Sequence, residues 1–170
     1  MRFLITYLFI LLVATSSFAQ RSKSALLPAS EAKALTNQCS RDSPSDFSDT
    51  WEPSSKDIVK MESTLSKISS LTAKSCCIEG STVEHPDDWY LQYVGIVRNG
   101  KKLIYISAIS PERPAMHSAQ IIDGITKDIE GPDIYWKKHA LTVCDGGTAW
   151  GVLYDPATGR FFDLAVNGVG

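Results

Sequence analysis

The sequence predicts an α+β domain, with an antiparallel sheet of four or five strands and one main amphipathic helix packed on one face. The dipeptide Asn99-Gly100, typical of a hairpin turn, divides a long run of β-branched and aromatic residues. A second turn sequence, from Asp155 to Gly159, separates two further apolar runs. A stripe of apolar residues at helical spacing follows Pro53. Because such a helix must bury its stripe against another element, two hairpins and one helix favour a helix-on-sheet architecture.

The central hairpin is predicted over the run from Trp89 to Ile109. A two-residue turn at Asn99-Gly100 predicts the register by arithmetic. Arg98 would face Lys101, Ile96 would face Leu103, Val94 would face Tyr105, and Gln92 would face Ser107. The alternate face carries Leu91, Tyr93, Gly95, Ile104, Ile106 and Ala108. Because both faces are largely apolar, we expect the alternate face to be buried and the first to be partly covered.

The C-terminal part of the chain is predicted to add three strands. His139 to Cys144 has a strand pattern, and Asp145-Gly146-Gly147 forms a tight connection to a strand from Ala149 to Tyr154. Proline and glycine in the following turn favour a return strand from Phe161 to Val166.

Two helices are predicted before the central hairpin. The main one begins at Ser54, whose side chain can form a capping box with Asp57. Its apolar stripe predicts about four turns and comprises Ile58, Met61, Leu65 and Ile68. A shorter helix of two to three turns begins at Ser30 and places Ala32, Leu35 and Cys39 on one side. The Ser-, Asp- and Pro-rich stretch between the helices predicts a loop, with Phe47 and Trp51 as apolar plugs.

Two long connections flank the central hairpin, over residues 72–88 and 110–135. The second contains five Pro or Gly residues, which leave room for one or two helical turns within 117–129 or a short strand over 120–122. A connection of this length is either a functional loop or an insertion. One connection enters the hairpin and the other leaves it at its open end, so we expect them to lie near each other.

The N-terminus has the pattern of a secretory signal peptide. Arg2 precedes an apolar run that is too short to span a bilayer, and Ser17-Phe18-Ala19 forms a small-x-small cleavage site. We therefore divide the chain into a signal peptide (1–19), a flexible lead-in (20–29) and a single α+β domain (30–170). The predicted location is periplasmic or secreted, without a stable membrane anchor. The formal net charge of −2 argues against a nucleic-acid partner.

The four cysteines allow three disulfide connectivities. Cys39 closes the first predicted helix and Cys144 ends a predicted core strand, which favours the pair Cys39–Cys144. Cys76 and Cys77 are adjacent, and they would then form a strained vicinal bridge or remain thiols.

Several patterns were considered as functional sites, each beside an ordinary structural explanation. Asp145-Gly146-Gly147-Thr148 resembles an anion cradle, but neither a helix nor a phosphate-loop lysine follows it. The only imidazoles lie outside metal-binding motifs, and acids in the first connection suit a solvated loop as well as glycoside chemistry. Three tryptophans could line a groove or fill the core. The residues concerned are His85, His117, His139, Glu79, Glu84, Asp87, Asp88, Trp89, Trp136 and Trp150.

Several blocks together resemble a family of small exported proteobacterial proteins of uncharacterised function. They are Gln38-Cys39-Ser40-Arg41, Trp51-Glu52-Pro53-Ser54, Tyr93 to Val97, Val143 to Gly147, Trp150 to Asp155 and Asn167-Gly168. The resemblance covers most of the mature chain, supports export and implies no catalytic residue. By topology alone, the predicted helix-on-sheet arrangement is similar to cystatin-like folds, which carries no function.

Two functional hypotheses remain open at the level of sequence. The first is a non-enzymatic binding or inhibitor-type protein of the cell envelope, whose partner is an envelope protein or a cell-wall enzyme. The second is a small envelope hydrolase that uses the acidic loop around His85. We favour the first, with no catalytic residue, metal or cofactor, because no nucleophile or general base has an evident orienting partner in sequence.

Overall fold

A computed structural model describes residues 23–74, 77–111, 119–122, 125–128, 132–144 and 146–168 of the chain. The α-helices are α1 (Ala32–Leu35), α2 (Ser55–Glu62) and α3 (Pro132–Tyr135), and the 3-10 helices are Ala29–Glu31, Leu65–Ser70 and Pro86–Asp88. The strands are β1 (Ser24–Leu26), β2 (Asp49–Trp51), β3 (Tyr90–Arg98), β4 (Lys101–Ile109), β5 (Ala119–Ile122), β6 (Ile125–Asp128), β7 (Ala149–Asp155) and β8 (Arg160–Val166).

Six of these strands form one sheet in the order β1, β3, β4, β7, β8, with β2 also paired to β3. The α+β class and the helix-on-sheet arrangement are as predicted. However, the sheet is mixed rather than antiparallel, because β1 runs parallel to β3, and it has six strands rather than four or five. Residues 24–26 therefore belong to the sheet, although the sequence predicts a lead-in there. The predicted signal peptide lies outside the described residues.

The central hairpin has the predicted register. Arg98 pairs with Lys101 and Gln92 pairs with Ser107, and every pair between them follows the same alignment. The backbone φ angles of Asn99 and Gly100 are +52° and +72°, both positive as a type I′ turn requires. The second hairpin joins β7 to β8 and is also present.

One side of the sheet, which we call the helix face, packs against α2 and the 3-10 helix after it. Ser54 accepts a hydrogen bond from the Asp57 backbone, and the Asp57 side chain accepts one from Ser54, so the predicted capping box is present. The helix ends at Glu62 after two turns rather than four. Its end coincides with Ser63 and Thr64, whose hydroxyls bond to preceding carbonyls and compete with helical pairing. The 3-10 helix continues the buried stripe: Ile58, Met61, Leu65 and Ile68 are all buried.

The opposite side, which we call the segment face, is covered by irregular chain. Its apolar residues Val94, Ile96, Leu103, Tyr105 and Leu153 pack against α1, the residues beside it and the stretch around Trp136. Both sheet faces are therefore buried, whereas the sequence predicts only partial cover here. The first helix is also shorter than predicted. It ends at Leu35, where the Thr36 hydroxyl bonds to the Ala32 carbonyl, so Cys39 lies beyond it.

The predicted strand from His139 to Cys144 is absent, because side chains replace a neighbouring strand as its hydrogen-bond partners. Gln92 donates to the carbonyls of Trp136 and His139 and accepts from the Leu141 amide. Further along, Gln38 binds the Leu141 carbonyl and the Val143 amide. The backbone of this segment is thus satisfied without a ladder, so the extended pattern of its sequence does not produce a strand.

The disulfide Cys39–Cys144 is present, as predicted, with 5.3 Å between the two Cα atoms. It joins the chain after α1 to the end of the side-chain-held segment. Cys77 is also disulfide-bonded. The other member of the predicted vicinal pair, Cys76, lies outside the described residues.

Candidate functional site

The two long connections adjoin the same end of the central hairpin, as the sequence predicts. Tyr90 at the start of β3 pairs with Ile109 at the end of β4. The connection over 110–135 contains β5 and β6, which pair with each other in a separate two-stranded sheet. A strand over 119–122 agrees with one of the alternatives open from sequence, the short strand over 120–122. His117 lies outside the described residues.

The acidic segment around His85 is a solvated turn. Glu84, His85, Asp87 and Asp88 are all exposed, as is Glu79 earlier in the same connection. His85 has a left-handed backbone with φ of +48°, and its carbonyl accepts a hydrogen bond from the Asp88 amide. A general acid or base is usually tuned by burial and oriented by a partner. None of these side chains is buried.

His139 lies on the segment face, where its ring contacts other side chains of the fold. Its ring lies 4.7 Å from the Tyr135 ring, and its Nδ1 atom is 3.6 Å from a Glu31 carboxylate oxygen. The same carboxylate accepts a hydrogen bond from the Ala140 amide. Within the described part of the chain, no three His, Cys, Asp or Glu side chains form a group that could hold a metal ion.

The three tryptophans singled out from sequence do not form one aromatic groove. Trp150 is 1% exposed on the helix face and packs edge-on against Trp89, with 5.9 Å between ring centroids. Trp136 is buried on the segment face, where it contacts Tyr90 in the same geometry. Trp136 and Trp150 therefore fill different cores.

The glycine turn before β7 uses its backbone internally. The Gly147 amide, at a φ of +70°, donates to the Asn167 carbonyl, and the Thr148 carbonyl accepts from the Ser110 amide. Asp145 lies outside the described residues. Because the Gly147 N–H already has a partner, this amide is not free to bind an anion.

Arg41 is the most deeply buried cation among the described residues, with 4% of its surface exposed. Its Nη1 donates to the Asn167 side chain, its Nη2 donates to Ser107, and Nε and Nη2 both approach the Tyr105 hydroxyl. None of these partners is a carboxylate. A buried guanidinium without a counter-charge is costly unless its hydrogen bonds are satisfied, so this cage holds Arg41 rigidly.

Blocks far apart in sequence meet around this cage. The Asn167 side chain donates to the Val143 carbonyl, and the Ser40 hydroxyl donates to the Cys144 carbonyl. Gly151 lies directly under the guanidinium, where an added Cβ would come within 2.5 Å of the Tyr105 hydroxyl and 3.0 Å of Arg41 Nε. Residues from four of the quoted sequence blocks thus contribute to the framework around Arg41. Sequence alone offers no signal that separates a buried arginine from an exposed one.

No protein-family model, curated protein or solved structure matches this chain. Its disulfide fits an extracellular or other oxidising compartment. None of the helices in the described ranges is long and apolar enough to cross a bilayer.

Proposed function

We propose that this protein is an exported, non-enzymatic binding or inhibitor-type protein that contacts an envelope protein or a cell-wall enzyme through the hairpin of β5 and β6. One observation carries the proposal: this hairpin forms a sheet of its own and does not pair with the six-stranded sheet. A two-stranded hairpin is marginally stable by itself. A partner that packs on it would stabilise it, and loops on a rigid sheet commonly carry recognition.

The pairing register of the hairpin brings two isoleucines together. Ile122 pairs with Ile125, and Asp123-Gly124 lies between them in sequence. Further along the two strands, the amide residue Gln120 pairs with the charged residue Lys127. An apolar centre with a polar surround is the usual anatomy of a protein-binding patch.

The use of the buried polar groups gives independent support. The buried Arg41, Gln92 and Asn167 bond to the protein itself, as does the partly buried Gln38. An enzyme would present such groups to a substrate, whereas here they hold irregular chain on the sheet. The rigid framework and the separate hairpin together suit a binding role.

Export is part of the same proposal, on the basis of the signal-peptide pattern and the disulfide. Mass spectrometry of the protein recovered from periplasm or medium should give Gln20 as the first residue, with or without cyclisation. Recovery of intact Met1 in membrane pellets would contradict cleavage after Ala19.

Binding is tested with a tip variant, Ile122→Ser with Ile125→Ser, and a matched control, Lys33→Ser with Lys101→Ser. Both control positions are exposed and lie outside the hairpin of β5 and β6. The mature parent is first used to capture partners from the envelope fraction, and each candidate is then purified. The tip variant should bind the purified partner at least tenfold more weakly, with the thermal midpoint within a few degrees of the parent. The control should bind like the parent.

Equal binding by the parent and the tip variant would contradict the role of the hairpin. The hydrolase hypothesis predicts a different outcome. In that case the purified protein would turn over peptidoglycan, peptide or ester substrates, and His85→Ala or Asp88→Ala would remove the turnover. That result would replace the binding proposal.

A further inference from the structure

A cavity of about 280 Å³ opens beside β8 on the segment face. Tyr105, Leu153 and Ala165 contribute apolar surface to it, and Pro44 closes one side. Asp42, Lys74, Arg98 and Asp163 also line it, so two acidic and two basic side chains surround an apolar floor. This volume is near the lower limit for a small-molecule site and suits a ligand of amino-acid size.

A bulge in the edge strand forms one wall of the cavity. Leu153 pairs with Phe162 and Gly151 pairs with Ala165, so Asp163 and Leu164 together stand opposite Val152 alone. Asp163 has a φ of +54°, a left-handed conformation that glycine adopts more easily. Bulges are frequent beside binding sites because they redirect a side chain, and a strained residue points to a role beyond stability. Here the redirected side chain is that of Asp163, which carries a carboxylate.

The charges around the cavity are unevenly compensated. Arg98 has two acidic partners, Asp46 at 2.8 Å and Asp163 at 3.3 Å. Lys74 is exposed, and no described residue forms an ion pair or hydrogen bond with its side chain. Asp163 is 61% exposed, and its carboxylate contacts Arg98 only through the longer of these two ion pairs. Lys74, without a partner among the described residues, and Asp163, whose Oδ2 atom contacts Arg98, therefore line the same opening.

The floor of the cavity adds a second positive influence. Tyr105 lines the cavity, and Arg41 directs two N–H groups at its hydroxyl, at 3.4 and 3.3 Å. The hydroxyl accepts both of these hydrogen bonds, so its own proton remains for an acceptor outside the Arg41 cage. The charge of a buried guanidinium that lacks a carboxylate partner is weakly screened. Both features favour a negatively charged group near Tyr105.

We propose that this cavity binds a free α-amino acid with an aliphatic side chain. The carboxylate would lie toward Lys74 and Tyr105, the ammonium toward Asp163, and the side chain on Leu153. Neither a simple anion nor a simple cation would satisfy both ends of the site. The proposal concerns a site separate from the β5–β6 hairpin and does not depend on the proposed partner binding.

Isothermal titration calorimetry of the mature protein tests the proposal with three probes of similar shape. Leucine carries both charges, 4-methylpentanoate lacks the ammonium, and isoamylamine lacks the carboxylate. Leucine should bind saturably, and each of the other two should bind at least tenfold more weakly. Absence of leucine binding, or equal affinity for 4-methylpentanoate, would overturn the proposal.

Two variants and a control test whether leucine binds in this cavity. Lys74→Met should weaken leucine binding at least tenfold, whereas Lys67→Met, an exposed lysine outside the cavity, should leave it unchanged. Asp163→Gly should weaken binding tenfold while raising the thermal midpoint, because glycine relieves the left-handed backbone. A purely structural role for Asp163 would move the midpoint without the affinity. The hairpin tip variant should bind leucine like the parent, and equal binding by both lysine variants would overturn the assignment.

Discussion

The two faces of the sheet are buried to a similar degree by different means. On the helix face, a regular helix and a 3-10 helix pack apolar side chains such as Met61 and Leu65 against β-strand residues. On the segment face, irregular chain is held by the side chains of Gln38, Gln92 and Asn167 and also makes apolar contacts with the sheet. The stability of the helix face depends on how well its side chains fill the core, whereas the stability of the segment face depends on the geometry of its hydrogen bonds. Substitutions of the same kind should therefore have different effects on the two faces.

The largest effect is expected from removal of the disulfide, which closes a loop with a sequence separation of 105 residues on the segment face. The double variant Cys39→Ala with Cys144→Ala should lose about 4 kcal/mol of unfolding free energy, because the open chain regains loop entropy when unfolded. Urea denaturation of the parent and the variant, both oxidised, measures the difference. A loss below about 1 kcal/mol would show that the hydrogen-bonded side chains suffice to hold this face.

The next effect is expected at Gln92, which is 1% exposed. Gln92→Met keeps the shape of the side chain but leaves two carbonyls and one amide without their partner. The loss should be about 3 kcal/mol, because each buried group left unsatisfied carries a desolvation penalty. Chemical denaturation measures it, and amide hydrogen exchange at Leu141 should accelerate. A nearly neutral Gln92→Met would mean that the segment face depends on volume like the other face.

The matched substitution on the helix face should be milder. Met61 is fully buried in an apolar cluster, and Met61→Leu conserves volume without removing a hydrogen bond. We expect a loss below about 1.5 kcal/mol, as for other shape-conserving swaps in cores. The same denaturation assay applies. A loss equal to that of Gln92→Met would remove the distinction between the two faces.

The smallest effect concerns Tyr154, a fully buried residue of the helix face whose hydroxyl has no hydrogen-bond partner. Tyr154→Phe should stabilise the protein by roughly 0.5 to 1 kcal/mol, because the cost of burying an unsatisfied hydroxyl disappears. Thermal or urea unfolding at neutral pH measures this gain. A loss of stability would show that the hydroxyl makes a favourable contact.

The same residue predicts a pH dependence. Burial raises the pKa of the Tyr154 phenol, and the Asp57 and Asp155 carboxylates raise it further. The folded state therefore keeps its proton when the unfolded chain, with a tyrosine pKa of about 10, has released it. Ionisation of Tyr154 therefore has no effect on stability below about pH 10, and the folded state loses stability as the pH rises from there toward the raised folded pKa. Urea unfolding from pH 8 to 11 should show a steeper loss for the parent than for Tyr154→Phe.

Local chemistry in the sequence was sufficient to predict the two hairpins, the start of α2 and the disulfide. Asn99-Gly100 has few conformations other than a tight turn, so the register of β3 and β4 followed from counting. Ser54 and Asp57 satisfy the first amides of α2 from within four residues. The cysteine pair could be chosen because only three connectivities exist. In each case the interactions that decide the structure lie close together in sequence or belong to a very small set.

Only the tertiary structure decided the edge strands, the cover of the segment face and the cavity. β1 and β2 have three residues each, too few to show a periodicity, and they exist because β3 offers them an unpaired edge. The sequence from His139 to Cys144 has a strand pattern. Its backbone groups nevertheless bond to the side-chain amides of Gln38 and Gln92 rather than to a neighbouring strand. The buried Arg41 and the bulge at Asp163 likewise depend on residues more than 50 positions away. Sequence patterns report local preference, whereas hydrogen bonds between distant residues form only when the sheet brings them together.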